Sequence, residues 1–370
     1  MSNAILVLNA GSSTIKFAVY ALAAAGFAPA PLARATVPAS ADALVGLWPR
    51  ITAALSGRSL VAAGHRIVHG GPDFVAPVAI TTEIERQLAA LIALAPLHQP
   101  QGLALIEPLR RLAPAATQVA CFDTAFHRTL PPLAQIFALP RNLTGSGVRC
   151  YGFHGLSYEY VAGELPRLLA GRAAERVIVA HLGNGSSLCA LRSLKSVATT
   201  MTFTPLDGLP MATRCGSIDP GVVLYLAGER GMSIADIADL LYHKSGLLGI
   251  SGLSGDVRVL AESSEPGAAQ ALDFLVYRIG REIGALAAVL GGLDALVFTG
   301  GIGENSALLR RRIGAGAAWL GVEIDLERNA ANGPCLSSDT SRVSAWMIPT
   351  DEESVIARQT LAVAGGRSDD

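Results

Sequence analysis

Ala4-Ile5-Leu6-Val7-Leu8-Asn9-Ala10-Gly11-Ser12-Ser13-Thr14-Ile15-Lys16-Phe17-Ala18-Val19-Tyr20 is an apolar, β-rich run, a polar glycine turn and a second apolar run with Lys16 on the alternate phase. That order predicts strand, tight turn, strand. The pattern returns at Val177-Ile178-Val179-Ala180, followed by His181-Leu182-Gly183-Asn184-Gly185-Ser186-Ser187 and then Leu188-Cys189-Ala190-Leu191. Its simplest meaning is two related lobes, each opening with a hairpin whose turn is sized for a phosphate. Between residues 271 and 290, Leu272, Leu275, Val276, Ile279, Ile283, Leu286, Val289 and Leu290 keep helical spacing. A buried-type strand at 295–298 and a glycine-rich loop, Thr299-Gly300-Gly301-Ile302-Gly303-Glu304-Asn305, follow. Helix, strand and loop in that order predict an α/β layer architecture. The Pro/Ala-rich tract 27–40 and the Gly/Ser-rich stretch 246–255 read as loops, and 364–370 reads as a frayed tail.

A chain of 370 residues with 39 Gly, 20 Pro and 5 Cys is long enough for two cores. Charged residues are 16% against roughly 25% in an average globular protein, so much of the chain must be buried. Mean hydropathy of +0.41 raises the question of a membrane. The longest relevant charge-free stretch, 87–106, is broken by Pro96, His98, Pro100 and Gln101, so no membrane span is expected. The net charge of −1 offers no footprint for nucleic acid. Cys121, Cys150, Cys189, Cys215 and Cys335 are scattered and odd in number, against a disulfide framework or a zinc cluster. The N-terminal segment lacks the features of a signal peptide, so a cytoplasmic location is expected.

P-loop, dinucleotide-fold, zincin and nucleophile-elbow motifs are all absent. What remains is three polar, glycine-rich turns after apolar strands, at 9–16, 181–187 and 299–305. Each alone could be an ordinary turn, but clustered N–H and hydroxyl donors with glycine suit phosphate oxygens, and three together favour that reading. Isolated polar residues in apolar text add candidates. Arg66 ends a strand-like run and is a ligand group or a surface arginine; Asp123 ends another and is a ligand group or a helix N-cap. His154, between Gly152-Phe153 and Gly155, is functional or structural, and Arg214 lies in a turn-rich segment. Thr350 with Glu353 has the spacing of a capping box.

Residues 7–17 and Met201-Thr202-Phe203-Thr204-Pro205-Leu206-Asp207-Gly208-Leu209-Pro210-Met211 resemble the two signature stretches of the acetate kinase family. Segments 65–71, 96–98, 122–127, 151–155, 181–187, 214–220, 301–306 and 350–353 match in order, so the resemblance spans almost the whole chain. It implies an α/β fold with two related lobes of the actin-like ATPase, ribonuclease H-like type and a cleft between them. Residues 1–149 with 354–370 would form the acceptor-side lobe, and 150–353 the nucleotide lobe.

Carried over residue by residue, the resemblance implies that Asn9 and Glu352 hold Mg²⁺, with Mn²⁺ as a substitute. Lys16 and Ser12 would contact nucleotide phosphates. His181, Leu182, Gly183, Asn184, Gly185, Asp256, Val257, Arg258, Gly301, Ile302, Gly303, Glu304 and Asn305 would bind ATP. Arg66 would bind the acceptor carboxylate, and His154 and Arg214 would stabilise the transition state. Asp123 would be the essential acidic residue, by positioning or a metal-bound water, or else by a transient phospho-carboxylate. Val68, Leu97, Phe153 and Pro205 would form the acyl pocket. The implied reaction is reversible transfer of the ATP γ-phosphoryl group to acetate, giving acetyl phosphate and ADP, with propionate or butyrate as alternative acceptors. A homodimer is implied. Three positions depart from the family: Thr14 replaces serine, Pro72 replaces glutamate and Tyr158 replaces a frequent histidine. A hydroxyl-directed kinase on the same architecture, or an ATP-driven binding protein, are the competing readings of the residues themselves.

Overall fold

The computed structural model describes residues 3–11, 14–23, 26–28, 30–40, 42–96, 98–169 and 175–365. Seven strands form the first sheet: β1 (Asn3–Ala10), β2 (Thr14–Ala23), β3 (Gly26–Phe27), β4 (Ala33–Pro38), β5 (Ser59–Ile67), β6 (Val78–Ala79) and β7 (Thr117–Phe122). Five form the second: β8 (Arg176–His181), β9 (Ser187–Arg192), β10 (Lys195–Thr199), β11 (Ala295–Thr299) and β12 (Ser344–Met347). Both expected hairpins form. β1 and β2 pair antiparallel with Asn9 opposite Lys16, and β8 and β9 pair antiparallel with His181 opposite Ser187.

The two sheets share one plan. In the first, β4-β2-β1-β5-β7 lie side by side, with β1, β5 and β7 parallel; in the second, β10-β9-β8-β11-β12 lie side by side, with β8, β11 and β12 parallel. With the two-residue strands β3 and β6 left out, the order is third, second, first, fourth, fifth in both cases. The repeat read from two short turns therefore extends to five strands of each sheet.

Each sheet is covered on both faces, as near-continuous apolar strands require. Leu6, Leu8 and Phe17 pack against Leu44, Leu47 and Ile51 of the helix Ala43–Leu55, whereas Val7, Val119 and Cys121 pack against Val355, Ile356 and Ala357 of the helix Glu352–Gly365. In the second sheet, Ile178, Ala180 and Leu188 meet the long helix Pro266–Leu290, and Val177, Val179 and Cys189 meet the helix Gly155–Leu169. All five cysteines are free, as expected. Among the described residues no helix is long and apolar enough to cross a membrane.

Three loop assignments are corrected. Within 27–40, β4 adds to the sheet edge beside β2, with alternating burial and its proline at the last position, where no interior hydrogen bond is lost. Within 246–255, Gly246–Ser251 is helical between two glycines in the left-handed region. Segment Gly300–Asn305 is also a short helix, entered through Gly300 at φ +77°. The tail begins later than expected, because the last helix runs to Gly365; 366–370 lie outside the described residues.

Candidate active site

Parallel strands deliver their carboxyl ends to one edge, where open α/β sheets hold ligands. Asn9 ends β1, Arg66 lies at the end of β5 and Asp123 follows β7; His181 ends β8, Gly300 follows β11, and Thr350 lies beyond β12. These ends face one cavity of about 270 Å³. Of the expected residues, Asn9, Lys16, Arg66, Val68, Asp123, Phe153, His154, His181, Gly183, Asn184, Gly185, Pro205, Arg214, Gly301 and Glu352 line it. A second cavity of about 600 Å³ continues from Gly183, Asn184 and Gly301 to Asp256, Val257, Arg258, Ile302 and Asn305.

Five of the expected residues are not among the described residues that line the two cavities. Ser12 and Leu97 lie outside the described residues. Leu182, Gly303 and Glu304 line neither cavity. The Leu182 side chain is buried, while its carbonyl accepts from the N–H of Ile302. Glu304 Oε1 accepts from the N–H of Gly300 and of Thr350, both at 3.0 Å, so one oxygen of its carboxylate ties two segments together. Nor does Thr350 cap the last helix. Its hydroxyl donates to Ser157, and the Asp351 carboxylate accepts the Ser354 N–H in its place.

Arg66 and Asp123 form the central ion pair. Nε and Nη2 of the guanidinium donate side-on to Asp123 at 3.0 and 2.6 Å, and Nη1 reaches the Asn9 amide oxygen at 3.3 Å. Asp123 is 1% exposed, and burial raises its carboxyl above the ordinary range against the pull of Arg66. Desolvation opposes the charge on Arg66, but Asp123 and Glu352 outweigh it and hold the guanidinium above its usual range. Of five N–H groups on an arginine, three are engaged, leaving one on each terminal nitrogen without an acceptor among the described residues.

Arg214 has no such partner. It donates to the Pro205 carbonyl at 2.9 Å and to His98 Nε2 at 3.1 Å, and no carboxylate pairs with it among the described residues. Burial and the nearby Arg66 push its guanidinium below its usual range. His98, held down to about 3 by burial, Arg214 and Arg66, stays neutral and accepts that N–H. The cavity therefore holds one neutralised arginine and one that needs an anion.

His154 and His181 stack with ring centroids 4.3 Å apart. His154 Nδ1 lies 2.9 Å from Ser187 Oγ, which is 2.5 Å from Tyr158 Oη. His181 Nδ1 lies 2.8 Å from Ser157 Oγ, which accepts from Thr350 at 3.0 Å. Burial holds His154 well below the ordinary imidazole range and His181 at about 4. His154 also sits at φ +57°, a strained position for a side-chain-bearing residue of the kind that clusters at functional sites. Its neighbour Gly155 has no room for more: a Cβ there would lie 2.1 Å from the Asp123 carbonyl oxygen.

The residues proposed for a metal fit Mg²⁺ only as an open set. Asn9 Nδ2 donates to Glu352 and to Glu353, both at 2.9 Å, which turns its amide oxygen toward Arg66. Desolvation opposes ionisation of Glu352, but Arg66, His181, Asn9 and Lys16 hold its carboxyl below the ordinary range. Among the described residues no group of three acidic, histidine or cysteine side chains forms a cage. One carboxylate and one amide oxygen suit an ion that takes its other ligands from phosphates and water.

The apolar wall joins Val68, Phe153, Met201 and Met211 with Ala95. Val68, Phe153, Met201 and Pro205 reach the cavity. Met201 and His98 carry no role in the sequence reading, though both stand inside segments it singles out: a lone Met or His gives no periodicity or spacing to read. Thr14, Gly11 and Thr350 also line the cavity.

Two sheets of one plan, with phosphate-sized turns and an unpaired arginine between them, define a two-lobed α/β protein of the phosphotransferase type. The profile described as Acetokinase family matches residues 34–358. An acetate kinase of Rhodopseudomonas palustris strain TIE-1 is 50% identical, with 99% of this chain and 100% of the relative covered. One from Methylocella silvestris is also 50% identical, over 98% of each chain. Among solved structures, a propionate kinase from Francisella tularensis subsp. tularensis SCHU S4 superposes with TM-score 0.87 at 36% identity, covering 98% of this chain and 100% of that one. Acetate kinase from Porphyromonas gingivalis gives 0.83 at 34% identity, covering 98% and 99%. The chain belongs to the acetokinase family.

Proposed function

We propose that this protein is an acetate kinase, moving a phosphoryl group reversibly between ATP and acetate. The observation that carries the reading is the floor of the cavity: two free N–H groups on Arg66 beside a wall of Val68, Phe153, Met201 and Pro205. A carboxylate with a short apolar tail satisfies both. The family and the names of its 50% identical relatives support acetate over propionate.

The acceptor carboxylate is ionised at neutral pH, so no base is required of Asp123. Asp123 instead holds Arg66 side-on and leaves one N–H on each terminal nitrogen for the substrate. Arg214, Lys16 and His154 surround the space where the phosphoryl group passes, and phosphoryl transfer asks mainly for positioning and charge neutralisation. Asn9 and Glu352 would hold Mg²⁺, which when bound neutralises phosphate oxygens. The second cavity, with Asp256, Val257, Arg258, Ile302 and Asn305, takes the remainder of the nucleotide.

Residues 1–149 and 354–370 are assigned to the acceptor lobe and 150–353 to the nucleotide lobe, a division supported by the helix Glu352–Gly365 packing on the first sheet. The assignment of a homodimer finds support in the helix Pro220–Gly228. Val222, Leu224 and Tyr225 are exposed there, and none of its residues is buried.

The test is release of ADP from MgATP with acetate, propionate or butyrate, with hydroxylamine added to trap product. Acetate should give the highest kcat/KM and a hydroxamate. One methylene changes transition-state binding by about 1 to 3 kcal/mol, so propionate should fall roughly 10- to 200-fold. ADP release without hydroxamate would overturn the reading.

A further inference from the structure

Resting on that reading for its catalytic consequence, we propose that Tyr158 and Ser187 are positioning residues that hold His154 as the neutral tautomer with its proton on Nε2. The imidazole then presents a donor to the transferring phosphoryl group, and neither ring nitrogen is left to accept from it.

Proton counting gives the direction of the relay. Tyr158 and Ser187 are both fully buried. The Tyr158 hydroxyl has one hydrogen-bond neighbour among the described residues, Ser187 Oγ at 2.5 Å. A buried hydroxyl proton needs an acceptor, so Tyr158 donates and Ser187 accepts. The Ser187 proton then has one place to go, His154 Nδ1 at 2.9 Å. A neutral imidazole carries a single N–H, and with Nδ1 accepting, that N–H is on Nε2. Reversing the chain would leave the Tyr158 proton without an acceptor. A doubly protonated ring would set a donor against the Ser187 proton, and burial with His181, Arg66 and Arg214 nearby opposes that charge as well.

Nε2 looks into the cleft. It lies 3.2 Å from the point where a Cβ on Gly185 would stand, and Arg214 Nη1 lies 3.5 Å from the same point. Tyr158 is itself fixed by ring contacts to Phe126, His127 and His181. The neighbouring imidazole repeats the device. Thr350 donates to Ser157, whose proton goes to His181 Nδ1, so that ring too carries its proton on Nε2. Tyr158 thus sets beside Ser187 a group that must donate when buried.

The test uses full-length protein labelled with ¹⁵N-histidine, with the His154 signals assigned by their loss in His154→Asn. Long-range ¹H–¹⁵N correlation at pH 7 should show a protonated Nε2 and an unprotonated Nδ1. In Tyr158→Phe, Ser187 is free to accept, so the Nδ1–H form should gain population and kcat should fall about threefold to tenfold, with both KM values within about twofold. Ser187→Ala should cost about tenfold or more in kcat; complete removal of one transition-state donor costs about 10² to 10³. A proton on Nδ1 of the wild-type ring, or on both nitrogens, overturns the proposal. So does a Tyr158→Phe variant with wild-type shifts and kcat. If that variant does not fold, the wild-type spectrum with Ser187→Ala decides the matter. The tautomer is read without turnover, so a failure of acetate to elicit ADP release would count against the enzyme assignment and leave this one standing.

Discussion

Arg66 works by dividing its guanidinium, with Nε and one Nη2 proton given to Asp123 and one proton on each terminal nitrogen left over. Such a division needs a planar fork, which lysine lacks. Arg66→Lys should therefore keep a charge beside Asp123, yet raise the acceptor KM by about tenfold, matching the loss of a charge-assisted hydrogen bond worth about 1.5 to 3 kcal/mol. The ATP KM should move by less than about twofold. Initial rates against both substrates check this, and an unchanged acceptor KM would remove Arg66 from the carboxylate site. Arg66 and Asp123 were legible as residues because each ends a strand-like run in polar isolation. Their mutual bond was not, since 57 residues separate them and only the parallel pairing of β5 with β7 sets them side by side. The Tyr158–Ser187–His154 chain was hidden for the same reason: it joins a helix, a strand and a strained turn.

Among the elements, the short helix Gly300–Asn305 acts as a brace. The Glu304 carboxylate binds the N–H of Gly300 at its start and of Thr350 beyond β12, while the fully buried Arg310 donates to the carbonyls of Gly303 and Glu304. Glu304→Ala strands two backbone donors, at about 1 to 3 kcal/mol for each one left buried. Both Tm and the affinity for MgATP should fall, because Gly301 and Thr350 line the cavity that this carboxylate ties together. Thermal melts with and without MgATP distinguish the roles: a direct nucleotide ligand would lower affinity and leave the melt of the free protein unchanged. Glycine and proline content explains which elements were missed. The hairpins were legible from β-rich runs flanking Gly-Ser turns. The helices Gly246–Ser251 and Gly300–Asn305 carry two and three glycines in six residues, and the edge strand β4 mixes two alanines and a proline with its Arg, Thr and Val, so tertiary packing sets their form against local preference.

Across the whole molecule, burial leaves several histidines neutral. His65 donates Nε2–H to Gln118 at 2.8 Å, and His127 donates to the Phe153 carbonyl at 2.9 Å while Nδ1 meets Ser196. Burial holds each at about 4, with these hydrogen bonds pulling the other way. Below the ordinary value of about 6.5 the unfolded chain takes up protons that the folded chain refuses. Stability is thus full above pH 6.5 and is lost as pH falls toward 4. Between pH 7.5 and 5 these two rings together should cost about 4 kcal/mol at most, read by urea unfolding at both pH values. Greater stability at pH 5 would contradict the neutral assignment. The packing of the last helix has a further consequence. Val355, Ile356 and Ala357 cover Val7, Val119 and Cys121, yet those three leave the ribosome before the second sheet and the helix after it. During synthesis the first sheet must wait, one face bare, while every strand of the second emerges and pairs. The lobe whose strands are translated first is completed last, so a ribosome stalled between the end of β7 and residue 352 holds out an adhesive half-sandwich to the cell's chaperones.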